Sequence, residues 1–461
     1  MVCPSCLVIF MRLLGIFWVS LSVAQVWQEA GGGANAPVHA LLSWNGYLYV
    51  GGRFTAVDGT ALQAQGIARW TGSNWQTISN PGAGGNGIIY AMTVYQGKLI
   101  VGGDFTGIGG SSANNLAAYD PATGTWSSVG GGVNGPVQAL YVYQGELLVG
   151  GVFTRVGLSP NEQTIAYFAR WDGASWKAPD PRNPSHLLAG GVLAFAEYNG
   201  KLYLGGTFPA AYYNETDKAY LAIWDKSTQR VLPAYPAGQE ADNFVRSLAV
   251  WNNKLYIGGD FQMIGGVSSP RLAALSGTTY EAVPGSPTNG QVRALLATPS
   301  HLYVAGNFTN AGGQTINRVA RLSSGGVWSN LGSGIGPLVV NALALHNGYL
   351  YAGGNFTQDG AGQPLAHIAL LSQPAAFHAL SEPFVSMEYS PPYLIIKAEK
   401  AVEATLTLSN SLSQIVFTQS LALTPHTAET ISLSGLPSGF YGLSVVSDGQ
   451  RILGAKLLCV P

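Results

Sequence analysis

One position in a repeated motif carries a side chain of changing type while its neighbours stay nearly constant. The motif reads Val-x-Ala-Leu, with small changes, and occurs seven times. Its x position is filled by His39, Tyr90, Gln138, Leu193, Arg246, Arg293 and Asn341. The two arginines stand in neighbouring repeats, and adjacent guanidinium groups can hold a carboxylate or a sulfate. We take the six polar members as a candidate ligand-binding ring; the alternative is a water-filled channel lined by polar residues of no special role.

The sequence carries no catalytic or metal-binding signature. His-Glu-x-x-His, Gly-x-Ser-x-Gly and Walker-type motifs are all missing. Two Gly-x-Gly-x-x-Gly runs, at 82–87 and 130–135, precede strands rather than helices, so we interpret them as tight turns. The seven histidines are not spaced as metal ligands. We therefore predict no catalytic residue, no metal and no cofactor.

Two acidic residues share one position of the repeat and could belong to a catalytic pair. Asp104 and Asp260 occupy the same slot of repeats two and five. The other five copies carry Arg53, Val152, Thr207, Asn307 and Asn355 there, so a ring of carboxylates is not predicted. A glycosidase needs two carboxyl groups within about 5–10 Å of each other across its substrate. The sequence gives no sign of such a pair.

These residues are positioned by a repeat of about fifty residues. Each copy contains a Leu, then a Gly pair (Ala-Gly in the sixth copy), and then a Phe, at Phe54, Phe105, Phe153, Phe208, Phe261, Phe308 and Phe356. Successive Phe positions differ by 51, 48, 55, 53, 47 and 48 residues. This period is typical of propeller blades, which have four strands each. Seven copies predict seven blades, with the x residues on the innermost strands around a central channel.

The strands within a repeat follow from local patterns. The innermost strand alternates with period two, as in residues 38–44, and an Asn-Gly or Gln-Gly hairpin turn follows in most copies. The Gly pair in the second strand suits either close contact between blades or a bulge. Two segments compete to complete the ring as an outer strand: residues 26–33, which match 125–132, and residues 376–380.

Composition and the N-terminal segment indicate where in or outside the cell the protein is found. The 461 residues have a formal net charge of −1, which gives no indication of nucleic-acid binding. Arg12, the apolar run 13–21 and Ser22-Val23-Ala24 predict a cleaved signal peptide over 1–24; an uncleaved anchor is the alternative. No other stretch is long and apolar enough to span a bilayer. We expect a secreted or cell-surface protein, with no transmembrane segment in the mature chain.

The repeats over about 26–380 resemble the Gly-rich, kelch-like propeller repeats of exported bacterial proteins. After residue 380 the composition changes, and seven short alternating runs predict a small Ig-like β-sandwich over 381–461. Residues 404–410, 431–445 and 454–458 resemble a type IX secretion C-terminal sorting domain. That resemblance implies export by the type IX machinery through residues 381–461; an accessory sandwich that stays attached is the alternative.

We therefore predict an all-β protein with a seven-bladed propeller over 25–380 and a C-terminal sandwich. Our preferred function is a non-enzymatic binding module for carbohydrate or protein. The alternative is a polysaccharide-active hydrolase or lyase with catalytic residues dispersed over the blades. Convergent carboxylates, or a His-Tyr-Arg cluster at one channel mouth, would favour the enzyme.

Overall fold

A computed structural model describes residues 25–374, except 79–84, 158, 183–187, 210–219, 236–237 and 286–287, together with seven strands between 385 and 459. The chain divides into two compact units, residues 1–376 and 377–461. The described residues form strands and turns without any helix, so none of them belongs to a helix able to cross a membrane.

The first unit is a propeller of seven four-stranded antiparallel sheets. From inner to outer strand, blades 1 to 3 contain Val38–Trp44, Tyr47–Gly52, Ile67–Trp70 and Trp75–Gln76; Ile88–Tyr95, Lys98–Asp104, Leu116–Asp120 and Thr125–Ser128; and Val137–Tyr143, Glu146–Gly151, Phe168–Trp171 and Trp176–Lys177. Blades 4 and 5 contain Val192–Tyr198, Lys201–Gly206, Leu221–Asp225 and Arg230–Pro233; and Val245–Trp251, Lys254–Gly259, Leu272–Ser276 and Thr279–Ala282. Blades 6 and 7 contain Val292–Ala297, His301–Gly306, Val319–Ser323 and Trp328–Asn330; and Val340–His346, Tyr349–Gly354, Ile368–Pro374 and Trp27–Glu29. The predicted all-β, seven-bladed fold is therefore confirmed.

Short two-stranded hairpins lie between the second and third strands of most blades. Five of them pair Ala56–Val57 with Leu62–Gln63, Gly107–Ile108 with Ser111–Ser112, Arg155–Val156 with Gln163–Thr164, Met263–Ile264 with Val267–Ser268, and Asn310–Ala311 with Gln314–Thr315. In blade 7, Ile335–Gly336 pairs with Gln358–Asp359. All seven Phe side chains of the repeat are at most 3% exposed, so each one anchors the start of this region in the core.

The N-terminal strand completes the ring. Trp27–Glu29 pairs antiparallel with Ile368–Pro374 and becomes the outer strand of blade 7. The Trp27 indole donates a hydrogen bond to the Leu331 carbonyl at 2.9 Å, as the outer-strand Trp176 does to Gly130 at 2.8 Å. Of the two segments that the sequence left open, the N-terminal one fills the slot. Residues 376–380 lie outside the described residues.

The first glycine of each pair allows neighbouring blades to approach each other. A Cβ atom on Gly51, Gly102, Gly150, Gly205, Gly258 or Gly353 would press against the residue just before the variable one on the next blade's inner strand. For Gly353 of blade 7 that residue is Val38 of blade 1, so the contact runs across the closure. Blade 6 has Ala305 at this position, and its side chain is fully buried. One methyl group is therefore tolerated at this position in at least one blade.

The second glycine meets backbone instead. A Cβ on Gly103 would overlap the Ile88 carbonyl oxygen, and the equivalent glycines of the other six blades would overlap the equivalent carbonyl: Gly52 with Pro37, Gly151 with Pro136, Gly206 with Gly191, Gly259 with Phe244, Gly306 with Gln291 and Gly354 with Val339. Since a carbonyl fixed in a sheet moves less readily than a side chain, we infer that this position excludes every other residue. Close contact between blades, the first explanation that the sequence offered, therefore holds for the first glycine, whereas contact with backbone requires the second.

The second unit contains two antiparallel sheets. Val385–Ser390, Tyr393–Ala398 and Ala428–Ser432 form the first; Ile415–Leu423, Val402–Ser409, Gly439–Ser447 and Gln450–Cys459 form the second, each in spatial order. Leu406 and Leu421 of the second sheet and Ile431 of the first are buried. The seven strands in two sheets agree with the predicted sandwich.

We predict that Gly103→Ala destabilises the propeller more than Gly102→Ala. Overpacking by a methyl group costs about 1–3 kcal/mol when side chains can adjust, and only at Gly103 must backbone shift. The midpoint of urea unfolding of each variant measures the difference. Ala305→Gly is the matched control, because it removes the one methyl group that blade 6 already accommodates. Equal losses for Gly102→Ala and Gly103→Ala would contradict this division of roles.

Candidate functional site

Every inner strand contains a β-bulge, and the bulged residue is the variable one. In blade 1, Val38 pairs with Gly52 and Ala40 pairs with Gly51, which leaves His39 without a partner on the neighbouring strand. The same register shift occurs in the other six blades at Tyr90, Gln138, Leu193, Arg246, Arg293 and Asn341. A bulge interrupts the alternation of side chains and re-aims one of them. The bulged residue is thereby released from the regular packing between blades.

A second variable residue lies beside each bulge, fourteen positions further along the chain. It follows the Gly pair, and in most blades its backbone N–H donates to the carbonyl that the second glycine approaches, as Arg53 does to Pro37 at 2.9 Å. These residues are Arg53, Asp104, Val152, Thr207, Asp260, Asn307 and Asn355. Each blade therefore brings two unconstrained side chains to the same end of its inner strand. We call this end of the channel the mouth.

Four of the predicted ring residues form a continuous cluster across blades 6, 7, 1 and 2. The Arg293 guanidinium donates to the Asn341 Oδ1 at 3.3 Å, and the Asn341 Nδ2 lies 3.3 Å from the His39 Nδ1. The rings of His39 and Tyr90 are 5.4 Å apart between centroids. We call Arg293, Asn341, His39 and Tyr90 the mouth cluster. The structure thus brings together residues separated by as many as 302 positions.

Arg246 makes an ion pair with an acidic residue of its own blade. Its Nε and Nη2 donate to the two carboxylate oxygens of Asp260 at 2.7 and 2.6 Å, in a bidentate ion pair within blade 5. The guanidinium of Arg246 is therefore already bound by a carboxylate, and its predicted place in the ligand-binding ring stays a prediction. The missed signal was the fourteen-residue spacing that places Asp260 beside Arg246 and, in blade 7, Asn355 beside Asn341 at 2.9 Å.

Gln138 lies apart from the cluster. Its amide oxygen is buried and, within the part of the chain that the structure describes, accepts no hydrogen bond. A Cβ on Gly191 of blade 4 would lie 3.0 Å from that oxygen. The same sector contains Leu193 and an exposed Val152. Blades 3 and 4 thus contribute a less polar part of the mouth.

Burial and nearby cations set the protonation state of the cluster. Burial, then Arg293 and Arg53, lower the pKa of His39 to about 4, so its imidazole is neutral at pH 7. A neutral ring agrees with the geometry, since the Asn341 amide can donate to an unprotonated Nδ1. Burial and the Asp104 carboxylate raise the pKa of Tyr90, with Arg53 opposing them. Burial and the neighbouring Arg246 lower the pKa of Arg293.

A surface groove of about 590 Å³ lies between blades 1 and 2. Arg53 and Asp104, both exposed, belong to its lining. Its other polar side chains are Thr55, Gln65, Asn86 and Thr106. Because Arg53 and Asp104 lie beside the bulges of His39 and Tyr90 and also line the groove, the groove adjoins the mouth cluster. Its volume lies within the usual range of small-molecule sites.

A serine and a histidine meet elsewhere on the inner strands. The Ser43 Oγ lies 3.0 Å from the Nδ1 of the buried His346, and the Asn347 amide nitrogen lies 3.2 Å from its Nε2. An amide N–H donating to Nε2 leaves the ring proton on Nδ1, from which it is donated to Ser43. In this arrangement His346 does not accept the serine proton, so the pair lacks the geometry of an activated nucleophile. Among the described residues, no group of three His, Cys, Asp or Glu side chains is arranged to hold a metal ion.

Two family models match parts of the propeller. The Rax2 C-terminal beta propeller domain matches residues 73–175, and a beta-propeller domain of unknown function, DUF5122, matches residues 301–327. Both are propeller families, in agreement with the fold. No curated protein matches the chain.

Solved structures also resemble the chain at low identity. The extracellular domain of a putative hybrid two component system from B. thetaiotaomicron is 11% identical, with a TM-score of 0.47 over 94% of this chain; the protein spans only 57% of that chain's length. A chain of a mitotic checkpoint complex is 13% identical, with a TM-score of 0.45, and the match covers 80% of this chain and 98% of that one.

We predict that Arg293→Gln raises the pKa of His39 above its value of about 4. The substitution removes one of the two positive charges that disfavour the imidazolium ion. An NMR titration of the His39 ring proton, assigned with a His39→Gln variant, measures this pKa. Arg155→Gln makes the same change at an exposed ion pair with Glu162 and should leave the value unchanged. An unchanged pKa in Arg293→Gln would mean that Arg293 exerts no charge effect on His39.

Proposed function

We propose that this protein is a secreted or cell-surface binding module that takes a carbohydrate or protein ligand at the mouth of a kelch-like propeller. The observation that supports the proposal is the mouth cluster with its adjoining groove. Seven bulges supply side chains that the regular pairing of the strands does not constrain. Beside the bulges of blades 1 and 2, Arg53 and Asp104 line a groove of ligand size. Ligand sites are typically concave, with a few convergent polar groups.

One observation favours the alternative, a polysaccharide hydrolase or lyase, but the pKa values of its candidate bases do not. His39, Tyr90 and Arg293 do form a cluster at one mouth. A lyase needs a base strong enough to remove a proton next to a carboxylate, and bases work best with a pKa near the operating pH. The pKa of His39 is about 4 and the pKa of Tyr90 is raised, so both shifts weaken them as bases at neutral pH. Binding without turnover fits these values better.

We predict that Arg53→Ala/Asp104→Ala lowers ligand affinity at least tenfold. A glycan array, polysaccharide pull-down and surface-protein pull-down would first identify the ligand, and isothermal titration calorimetry would then measure the dissociation constant. Both side chains are exposed, so we expect the variant to fold normally. Tenfold corresponds to about 1.4 kcal/mol, the cost of one or two polar contacts.

Arg155→Ala/Glu162→Ala is the matched control, since it also removes one exposed cation and one partly exposed anion, in the hairpin of blade 3. We expect it to change affinity less than twofold. Equal losses in both variants would place the ligand elsewhere. Depolymerisation of an acidic polysaccharide, with an ultraviolet signal from unsaturated uronate, would instead support the lyase.

We also propose that residues 381–461 direct export by a type IX-like route. The resemblance to sorting domains supports this proposal, and the two-sheet unit agrees with it. In a bacterium with type IX machinery, we expect the full chain to reach the medium or cell surface without its C-terminal unit. A chain ending at residue 376 should remain in the periplasm. Mass spectrometry of the exported protein measures its C-terminus, and an intact unit on the exported protein would favour the accessory sandwich.

A further inference from the structure

Arg293 carries a positive charge without a carboxylate partner. Within the described part of the chain, its hydrogen bonds go to amide oxygens only: Gln291 Oε1 at 3.4 Å from Nε and 3.2 Å from Nη2, and Asn341 Oδ1 at 3.3 Å from Nη1. Arg246, one blade away, binds Asp260 at 2.6 and 2.7 Å. Charge-assisted bonds are ordinarily about 2.7–2.9 Å long. The contacts of Arg293 are longer than these and are made to neutral groups.

The surroundings make this charge unfavourable in the free protein. The Arg293 side chain is partly buried, and burial together with Arg246 lowers its pKa. Asp260 acts in the opposite direction, but both of its oxygens are already bound by Arg246. A cation that has lost part of its hydration without gaining an anion is destabilising. The charge of Arg293 therefore lowers the stability of the free protein, and a bound anion would restore that stability.

A second cation lies on the open side of the same cluster. Arg53 is exposed, lines the groove, and together with Arg293 affects His39. His39 is neutral, so it adds no charge of its own to the cluster. Two guanidinium groups, one partly buried and one exposed, therefore both act on His39, and the exposed one also lines the groove.

The lining of the groove indicates what the anion is attached to. Thr55, Asn86, Thr106 and Gln65 offer hydroxyl and amide groups, whereas Phe54 and Phe105 are at most 3% exposed. Peptides are usually anchored by apolar side chains in pockets, and of the three large apolar residues in the lining two, Phe54 and Phe105, are buried, while Ile88 is half-buried. Neutral donors and acceptors in this density suit the hydroxyl groups of a sugar.

We propose that the mouth binds an acidic carbohydrate whose oxyanion, the carboxylate of a uronic acid or a sulfate ester, is held by Arg293 and Arg53, while the sugar occupies the groove between blades 1 and 2. This inference rests on the proposed binding function and deepens it by naming the ligand class. Arg293 is the principal contact because its planar fork can bind an oxyanion bidentately in place of its long hydrogen bonds to Gln291.

The first test uses inorganic sulfate and acetate as probes, with chloride at matched ionic strength as the reference. The ring proton of His39, which lies beside the cluster, reports binding by NMR in the full protein. We expect a saturable shift with sulfate or acetate. In Arg293→Gln we expect that shift to disappear, and in Arg155→Gln we expect it to persist. A non-saturable response, or an unchanged one in Arg293→Gln, would overturn the proposal.

Asp260→Asn should change anion affinity in the opposite direction to Arg293→Gln. It releases Arg246 from its ion pair and leaves a second guanidinium near Arg293 without a carboxylate. We expect anion affinity to rise severalfold, a gain that a structural role of these arginines would not produce. Unchanged or weaker binding in Asp260→Asn would contradict the proposal, and this variant remains informative if Arg293→Gln folds poorly.

Thermal unfolding separates a ligand-binding role of Arg293 from a structural one. If Arg293 serves a ligand, Arg293→Gln should keep or raise the melting temperature, because it removes an uncompensated charge. A clear drop in melting temperature would mean that Arg293 holds the blades together, which would overturn the proposal.

Oligosaccharides identify the source of the anion. We compare oligomers of uronic acid, sulfated oligomers, neutral oligomers of the same length and an acidic peptide. Tenfold or stronger preference for either acidic sugar over the neutral one supports the inference and identifies the oxyanion. Preference for a neutral sugar would overturn the inference while leaving the proposed binding function intact. Preference for the acidic peptide would overturn it in favour of a protein ligand.

Discussion

The structure depends on how closely neighbouring blades approach each other beside the inner strands. Radial sheets converge toward the axis, so the space between blades is smallest there. The first glycine of each pair leaves space for the residue just before the variable one on the next blade's inner strand, and the contact between Gly353 and Val38 extends this packing across the closure. The outer strands are spaced more widely and accommodate Trp or Tyr side chains, such as Trp176 and Tyr280. The spacing between blades increases with distance from the axis, so it favours small residues near the axis and large ones at the periphery.

The second glycine connects this packing to the mouth. It lets the backbone carbonyl two residues before the bulge come close to the second strand, and the bulged residue is then left without a partner. In a regular strand of a propeller, side chains alternate between the two neighbouring blades, and the core prescribes them. The bulge leaves one residue per blade outside this alternation, so core packing does not determine its type. Constant core and variable mouth are therefore built from consecutive residues of the same strand.

Much of the propeller could be predicted because its local patterns are strong. The inner strand 38–44 and the third strand 67–70 begin and end where the alternation and the turn residues indicate. Asn45 and Gly46 have φ values of 50° and 78°, which is the conformation that such a hairpin turn requires. The bulged position was also identifiable, because it was the one variable residue within a constant motif.

Other features depend on contacts that a single sequence does not reveal. Residues 26–33 and 376–380 both fit an outer strand, and only the pairing of Trp27–Glu29 with blade 7 decides between them. The ion pair between Arg246 and Asp260 joins two strands across a hairpin, so local pattern did not separate a free arginine from a paired one. The low pKa of His39 requires both burial and charges from Arg293 and Arg53, which are distant in sequence.

The asymmetry of the mouth is itself informative. The seven blades share one packing scheme, so the demands of folding act almost equally on all seven bulged positions. Blade 5 nevertheless neutralises its arginine, whereas blade 6 leaves Arg293 with amide partners and blade 4 carries Leu193. The shared packing scheme does not require these differences. A ligand that occupies one sector, on the side of blades 6, 7, 1 and 2, would act unequally on the blades in this way. An object lying along the whole sevenfold axis would instead favour similar side chains in every blade.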